Sequence, residues 1–217
     1  MNRPTETHPL SRFLDSLLVA ADEALRALSG AATAARPSPA GEDTIPARRE
    51  DRELSGRLMR VNHTGEVCAQ ALYSGQALVA RDASIRRALQ AAAGEERDHL
   101  AWCRDRIVQL GSRTSVLDPL WYAGSFAWGV TSGLAGDRWS LGFLAETEAQ
   151  VERHLEGHLE RLPTDDAASR TIVLRMREDE ARHGATGRAL GGRDLPAPVK
   201  AAMRAAARVM TGTTYWL

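Results

Sequence analysis

The segment Glu95-Glu96-Arg97-Asp98-His99 and its later counterpart Glu178-Asp179-Glu180-Ala181-Arg182-His183 each carry a Glu-x-x-His. A single glutamate leads each copy: Glu66 by 30 residues (66 to 96), Glu148 by 32 (148 to 180). One Glu-x-x-His is common in any helical protein, whereas two in the same order with a leading glutamate are not. Residues i and i+3 project from one face of a helix, so each pair can converge on one point. A glutamate from each of two helices and a Glu-x-x-His from each of two others is the ligand set of two-metal carboxylate sites in four-helix bundles. The reading is all-α, with Glu66, Glu96, His99, Glu148, Glu180 and His183 as candidate metal ligands.

The chain has 28 acidic residues, and most must be solvated, so helical phase decides which of them face inward. One apolar stripe runs Ile85, Leu89, Ala92, Glu96, His99, Cys103, and a second runs Leu141, Leu144, Glu148, Val151, Leu155, Leu159, Leu162. The third reads Ile172, Val173, Met176, Glu180, His183, Gly187, Leu190. Glu146, Glu152, Glu156, Glu160 and Glu178 fall off these lines. Glu66 sits on a mixed stripe of Met59, His63, Gln70, Tyr73 and Ala77, and its place in the repeat supports it more than its neighbours do. Buried unpaired carboxylates carry several kcal/mol of desolvation cost each, so four in one core call for cations. Oxygen-rich donors with two imidazoles and no thiolate suit iron or manganese better than zinc or copper(I). In this geometry Glu96 and Glu180 bridge two metals, Glu66 and Glu148 are terminal, and each histidine binds one ion.

Lys plus Arg equals Asp plus Glu at 28 each, so no basic field points to nucleic acid. Cys68 and Cys103 have no metal-ligand or disulfide spacing and fit a reducing compartment. Charged residues interrupt the apolar region over residues 10 to 28, so no secretory signal is expected and the cytoplasmic side is. Length favours one main domain, residues 48–217, preceded at 1–47 by an amphipathic helix with Leu10, Phe13, Leu14, Leu17, Leu18, Leu25 and Leu28 and by an Ala/Pro-rich linker. Long helices are expected from about Arg52 to Arg81, Asp82 or Ala83 to Leu110, Asp137, as cap, to Arg161 or Leu162, and Asp165 or Asp166 to Leu190. A last helix begins at Pro196 or Pro198 and runs through Val209, with Lys200, Arg204 and Arg208 on one face that fits either anionic lipid or solvent.

From Gly56 onward the chain resembles the 3-demethoxyubiquinol 3-hydroxylase family, the membrane-bound di-iron monooxygenases of ubiquinone biosynthesis. The residues that carry this are Arg60-Val61-Asn62-His63-Thr64-Gly65-Glu66, Glu95 to Leu100, Arg113-Thr114-Ser115-Val116-Leu117-Asp118-Pro119-Leu120-Trp121, Glu146-Thr147-Glu148 and Glu178 to His183. The resemblance implies a ferritin-like four-helix bundle with a long hydrophobic crossover between bundle helices 2 and 3 and extra terminal helices. It implies two iron ions on the six candidates, O2 as co-substrate, reduced nicotinamide as the electron source, and a polyprenylated methoxy-benzoquinol as the substrate that gains one oxygen atom. His154 matches a family histidine beside the metal ligands, whereas Leu155 stands where some members carry tyrosine. The stretch Val67-Cys68-Ala69 and the N-terminal helix point to the bacterial type, peripheral on the cytoplasmic side of the cell membrane. Contacts with a second copy or with other ubiquinone-biosynthesis proteins stay open.

A polyprenyl quinol lives in the bilayer, so the chain must reach one. The crossover from Leu100 to Thr147 holds an uncharged run, Pro119 to Gly136, with Trp121, Tyr122 and Trp128, and Trp139 just beyond. Its 18 residues sit at the bottom of the transmembrane length range and its polarity argues further against spanning, while aromatics of this kind concentrate at bilayer interfaces. Composition alone leaves it open between a buried helix and a monotopic membrane hairpin, and the resemblance favours membrane contact. A ferritin-like or rubrerythrin-like di-iron oxidase acting on iron or peroxide shares the six ligands without needing this stretch. A membrane-associated bundle with a purely structural metal is the third reading.

Overall fold

The computed structural model describes residues 9–41 and 44–217, with side chains from residue 14 onward. Among these residues there are seven helices and no strand: α1 Pro9–Ser29, α2 Arg49–Val79, α3 Ala83–Gln109, α4 Asp118–Leu134, α5 Asp137–Arg161, α6 Ala167–Ala189 and α7 Ala197–Thr214. Helices α2, α3, α5 and α6 form the bundle. Short turns at 80–82 and 162–166 make α2 with α3 and α5 with α6 antiparallel pairs, and α4 lies within the long crossover, as the ferritin-like reading requires.

Local chemistry sets the boundaries. Asp82 caps α3 by accepting from the amides of Ser84 and Ile85, and Asp166 caps α6 by accepting from Ser169. Asp137 was expected to cap α5, but Gly136 holds that position with φ of 111°, where a side chain would be strained. The Asp137 carboxylate instead accepts the amides of Arg81 and Asp82, tying the α2–α3 turn to the start of α5. Helix α7 runs five residues past the expected end at Val209, and its tail docks back: the Val116 amide donates to the Leu217 carbonyl, and Arg57 stacks on Trp216 at 4.7 Å.

Helix α2 is the central element. Its stripe Met59, His63, Glu66, Gln70, Tyr73, Ala77 is buried throughout, as are most of its other faces. Helix α4 packs along it by backbone contact. A Cβ on Gly75 would stand 2.5 Å from the Phe126 carbonyl oxygen, and one on Gly129 would collide with that of Leu72. The segment expected as a membrane hairpin is therefore a single helix, and the chain reverses only at its end, at Ala135–Gly136. Its outer face leaves Leu120, Trp128 and Leu134 exposed. None of the described helices is long and apolar enough to cross a membrane.

Helix α1 docks through its small residues, Ala20 and Ala27, leaving Leu14, Leu17, Leu18, Leu25 and Leu28 exposed. Leu10 and Phe13, expected on the same stripe, have side chains outside the described residues. The segment after Gly30 has no helix, in keeping with its prolines, yet it is docked: Ala32 is buried, and the carbonyl of Thr44 accepts from the buried guanidinium of Arg106. On α7, Lys200 is engaged by Asp194 at 2.5 Å and Glu146 at 3.4 Å, which reduces the free basic face to Arg204 and Arg208.

Candidate metal centre

Each Glu-x-x-His occupies one helical turn, on α3 and on α6, and the two turns face each other across the bundle between Glu66 of α2 and Glu148 of α5. All six side chains are buried, with Glu96 and His99 fully so. Two groups of ligand atoms result, each with its atoms within 4.8 Å of one another: Glu66, Glu96, His99 and Glu180 in one, and Glu96, Glu148, Glu180 and His183 in the other. Glu96 and Glu180 belong to both. The off-seam acids behave as phase predicts, with Glu152, Glu156, Glu160 and Glu178 exposed and Glu146 half-buried.

This cluster is poorly satisfied by protein groups. Glu66 Oε2, Glu96 Oε1, Glu148 Oε2, both oxygens of Glu180 and His183 Nδ1 are buried without a hydrogen-bond partner. His183 Nδ1 stands 3.0 Å from Glu96 Oε1, yet the two make no hydrogen bond. Buried polar atoms are nearly always paired, so a concentration of unpaired acceptors around one point is what a group able to hold a cation would show.

The titration tendencies agree. Burial, then the charge of Glu96, pushes the Glu66 carboxyl well above the carboxylate range; burial, then Glu180, does the same for Glu148. Burial, and for Glu180 the charge of Glu96, opposes the charged form of Glu96 and Glu180 as well, but the close imidazoles of His183 and His99 hold both below the usual range. Burial likewise works against imidazolium at His99 and His183, yet the surrounding carboxylates raise both, His183 to about 11. Protons and imidazolium thus stand in for cations. Four carboxylates beside two imidazoles carry four negative charges, which two divalent ions would neutralise.

A layer of support surrounds the cluster, with a near two-fold relation that the motif alone does not reveal. His99 Nε2 lies 3.0 Å from Asp179 Oδ2, and Asp179 directly precedes Glu180. His183 Nε2 lies 3.3 Å from Glu95 Oε2, and Glu95 directly precedes Glu96. Each imidazole thus turns one nitrogen to the cluster and the other to an acid of the opposite half, which fixes ring orientation. Asp179 is buried and held by Arg36, Arg175 and Arg182. The Tyr73 hydroxyl donates to Glu148 Oε1 at 2.5 Å, and burial, then the nearby carboxylates, keeps that phenol protonated.

His154 lies outside both ligand groups. It is half-buried on α5, with its ring 4.0 Å from that of His158. Both cysteines are free and neither belongs to a ligand group; burial pushes the Cys68 thiol up to about 12.

A ferritin-like bundle with a buried double carboxylate and imidazole cluster defines the class. The chain belongs to the ubiquinone biosynthesis protein COQ7 family, whose sequence model matches residues 53–214. It is 58% identical over 207 residues to a 3-demethoxyubiquinol 3-hydroxylase of Bordetella pertussis, covering 94% of this chain and 93% of that protein. The protein of the same name from Verminephrobacter eiseniae is 58% identical, with 94% and 98% covered. That of Ralstonia pickettii is 54% identical, with 94% and 99% covered.

Proposed function

We propose that this protein is a di-iron monooxygenase that hydroxylates the ring of a polyprenylated demethoxyubiquinol, a late step of ubiquinone biosynthesis. The observation that carries the reading is the pair of ligand groups joined through Glu96 and Glu180. Glu66, Glu96, His99 and Glu180 would hold one ion, and Glu96, Glu148, Glu180 and His183 the other. Two ferrous ions held there would supply the electrons that activate dioxygen for transfer of one oxygen atom to the ring, with reduced nicotinamide as the ultimate donor.

The remaining work belongs to the chain. Asp179 and Glu95 aim the two imidazoles, and Tyr73 restrains the Glu148 carboxylate by donating to its Oε1. The apolar seams Leu89, Cys103, Leu144, Leu155 and Met176 keep bulk water from the centre, which strengthens every charge interaction inside it. His154, on α5 and outside both ligand groups, is the candidate supporting residue.

The substrate side rests on α4. Its exposed Leu120, Trp128 and Leu134 offer an apolar face suited to the cytoplasmic leaflet, where a polyprenyl quinol would enter, and the exposed leucines of α1 offer a second. The protein would then be peripheral on the bacterial cell membrane. A deletion strain tests the function: it should accumulate the demethoxy intermediate, and wild type but not Glu180→Ala or His183→Ala should clear it. Normal ubiquinone in the deletion strain would overturn the assignment. Clearance of peroxide or oxidation of free iron without an effect on quinones would favour the oxidase reading.

A further inference from the structure

We infer that Arg36, in the non-helical segment between α1 and α2, is a positioning residue for His99. It lies outside the stretch matched by the family model, yet its side chain ends two contacts from the candidate centre. Asp179 Oδ2 accepts from Arg36 Nη1 at 2.9 Å and lies 3.0 Å from His99 Nε2, so one carboxylate oxygen is shared between the guanidinium and the imidazole. His99 Nδ1 then faces Glu66, Glu96 and Glu180 at 3.5, 3.1 and 3.2 Å.

Arg36 is itself fixed on several sides. Its Nε donates to Asp98 Oδ2 at 2.5 Å, while the Ala35 amide donates to Asp98 Oδ1 at 2.6 Å. The guanidinium stacks on Trp102 at 5.0 Å, and the Trp102 indole donates to the Arg36 carbonyl at 3.3 Å. Trp102 in turn packs against His99, with ring centroids 5.4 Å apart. A planar fork that grips Asp98 and Asp179 together cannot be replaced by a point charge. Asp179 Oδ2, fixed by this fork, faces Nε2 and can accept a hydrogen bond from its N–H, which leaves Nδ1 as the nitrogen turned to the other candidate ligands.

The latch leans to one side, because Arg36 donates to Asp179 at 2.9 Å but only approaches Glu95 at 4.0 Å. His183 rests on Glu95, a partly exposed acid that pairs with Arg182 and stands 4.0 Å from Arg36. Loss of Arg36 should therefore weaken the His99 side of the centre and largely spare the His183 side. This rests on the metal reading under Proposed function, and the experiment separates the two.

Full-length protein, stripped of metal, is titrated anaerobically with ferrous iron and in parallel with Co(II), whose visible absorption reports ligand geometry. Wild type should bind two ions. Arg36→Met should bind one ion about tenfold more weakly, at the lower end of the effect of losing a supporting partner, and the other within about twofold. Arg36→Lys should recover only part of the loss. Arg104→Met is the control, because Arg104 docks the same segment through the carbonyls of Gly30 and Ala32 without touching Asp179. It should destabilise the fold comparably in a thermal melt while leaving both affinities within about twofold.

Unaltered iron binding in Arg36→Met overturns the inference, as does equal weakening in Arg104→Met, which would mean that segment docking alone matters. If Arg36→Met does not fold, Arg36→Lys decides, since one-sided weakening is still required of it. Fewer than two ions in wild type would overturn the metal reading itself, and the latch with it, before any variant is made.

Discussion

Acidification should strip stability from the protein through a pair of histidines that no ligand group includes. His154 and His158 lie one turn apart on α5 with rings 4.0 Å apart, and His154 Nε2 and His158 Nδ1 are buried without a partner. Burial, then Arg161, pushes the His154 imidazole down to about 4; burial, then His154 and Arg161, pushes His158 down to about 2. Both are therefore neutral in the fold, while the unfolded chain takes up protons as pH falls through 6.5. The unfolded state binds more protons between pH 6.5 and about 4, so stability present above that window is lost on descending through it. From pH 7 to 5 each histidine should cost about 2 kcal/mol, roughly 4 kcal/mol for the pair. Urea unfolding at the two pH values, on wild type and on the His154→Gln/His158→Gln double variant in the same metal state, measures it. The variant should lose less stability by about that amount. Equal pH dependence in the two proteins would refute the neutral buried pair.

Tyr73→Phe removes the hydroxyl that restrains Glu148 and leaves a second carboxylate oxygen unpaired, so urea unfolding should show a loss of about 1–3 kcal/mol. Gly129→Ala forces a methyl into the Leu72 carbonyl and should cost about 1–3 kcal/mol in the same assay, with wild-type stability speaking against the close α2–α4 crossing. Leu120→Glu and Leu134→Glu, on the exposed face of α4, should change stability by no more than about 0.5 kcal/mol each, and Trp128→Glu, which also loses a stacking contact with Phe143, by about 0.5–1.5 kcal/mol. Together they should release the protein from liposomes, and undiminished flotation would count against membrane contact through α4.

How much was legible in the sequence depends on how each helix is buried. On α3, α5 and α6 one face meets the core and the other meets water, so phase separated Glu96, Glu148 and Glu180 from their acidic neighbours. Helix α2 is enclosed by α1, α3, α4 and α5, so periodicity has little contrast there, and the stripe around Glu66 looked mixed although every residue on it is buried. The support layer was illegible for a different reason. Asp179 and Arg36 are 143 residues apart, and nothing local in either segment announces that they meet. Asp179 had one usable signal, since it precedes Glu180 as Glu95 precedes Glu96, an acid at the same place in both copies of the motif. Helix α1 shows the limit of amphipathicity: its leucine stripe was visible, but the alanine side docks. The spacing of apolar residues tells that a helix has two faces and leaves open which one the protein itself covers.

Anaerobic reconstitution with ferrous iron, followed by iron counting and Mössbauer spectroscopy, tests the paired centre most directly. Two irons per chain with coupled magnetic behaviour are predicted for wild type. Glu180→Ala removes a carboxylate common to both ligand groups and should leave at most one iron, with the coupling gone. Two coupled irons in Glu180→Ala, or none in wild type, would contradict the account.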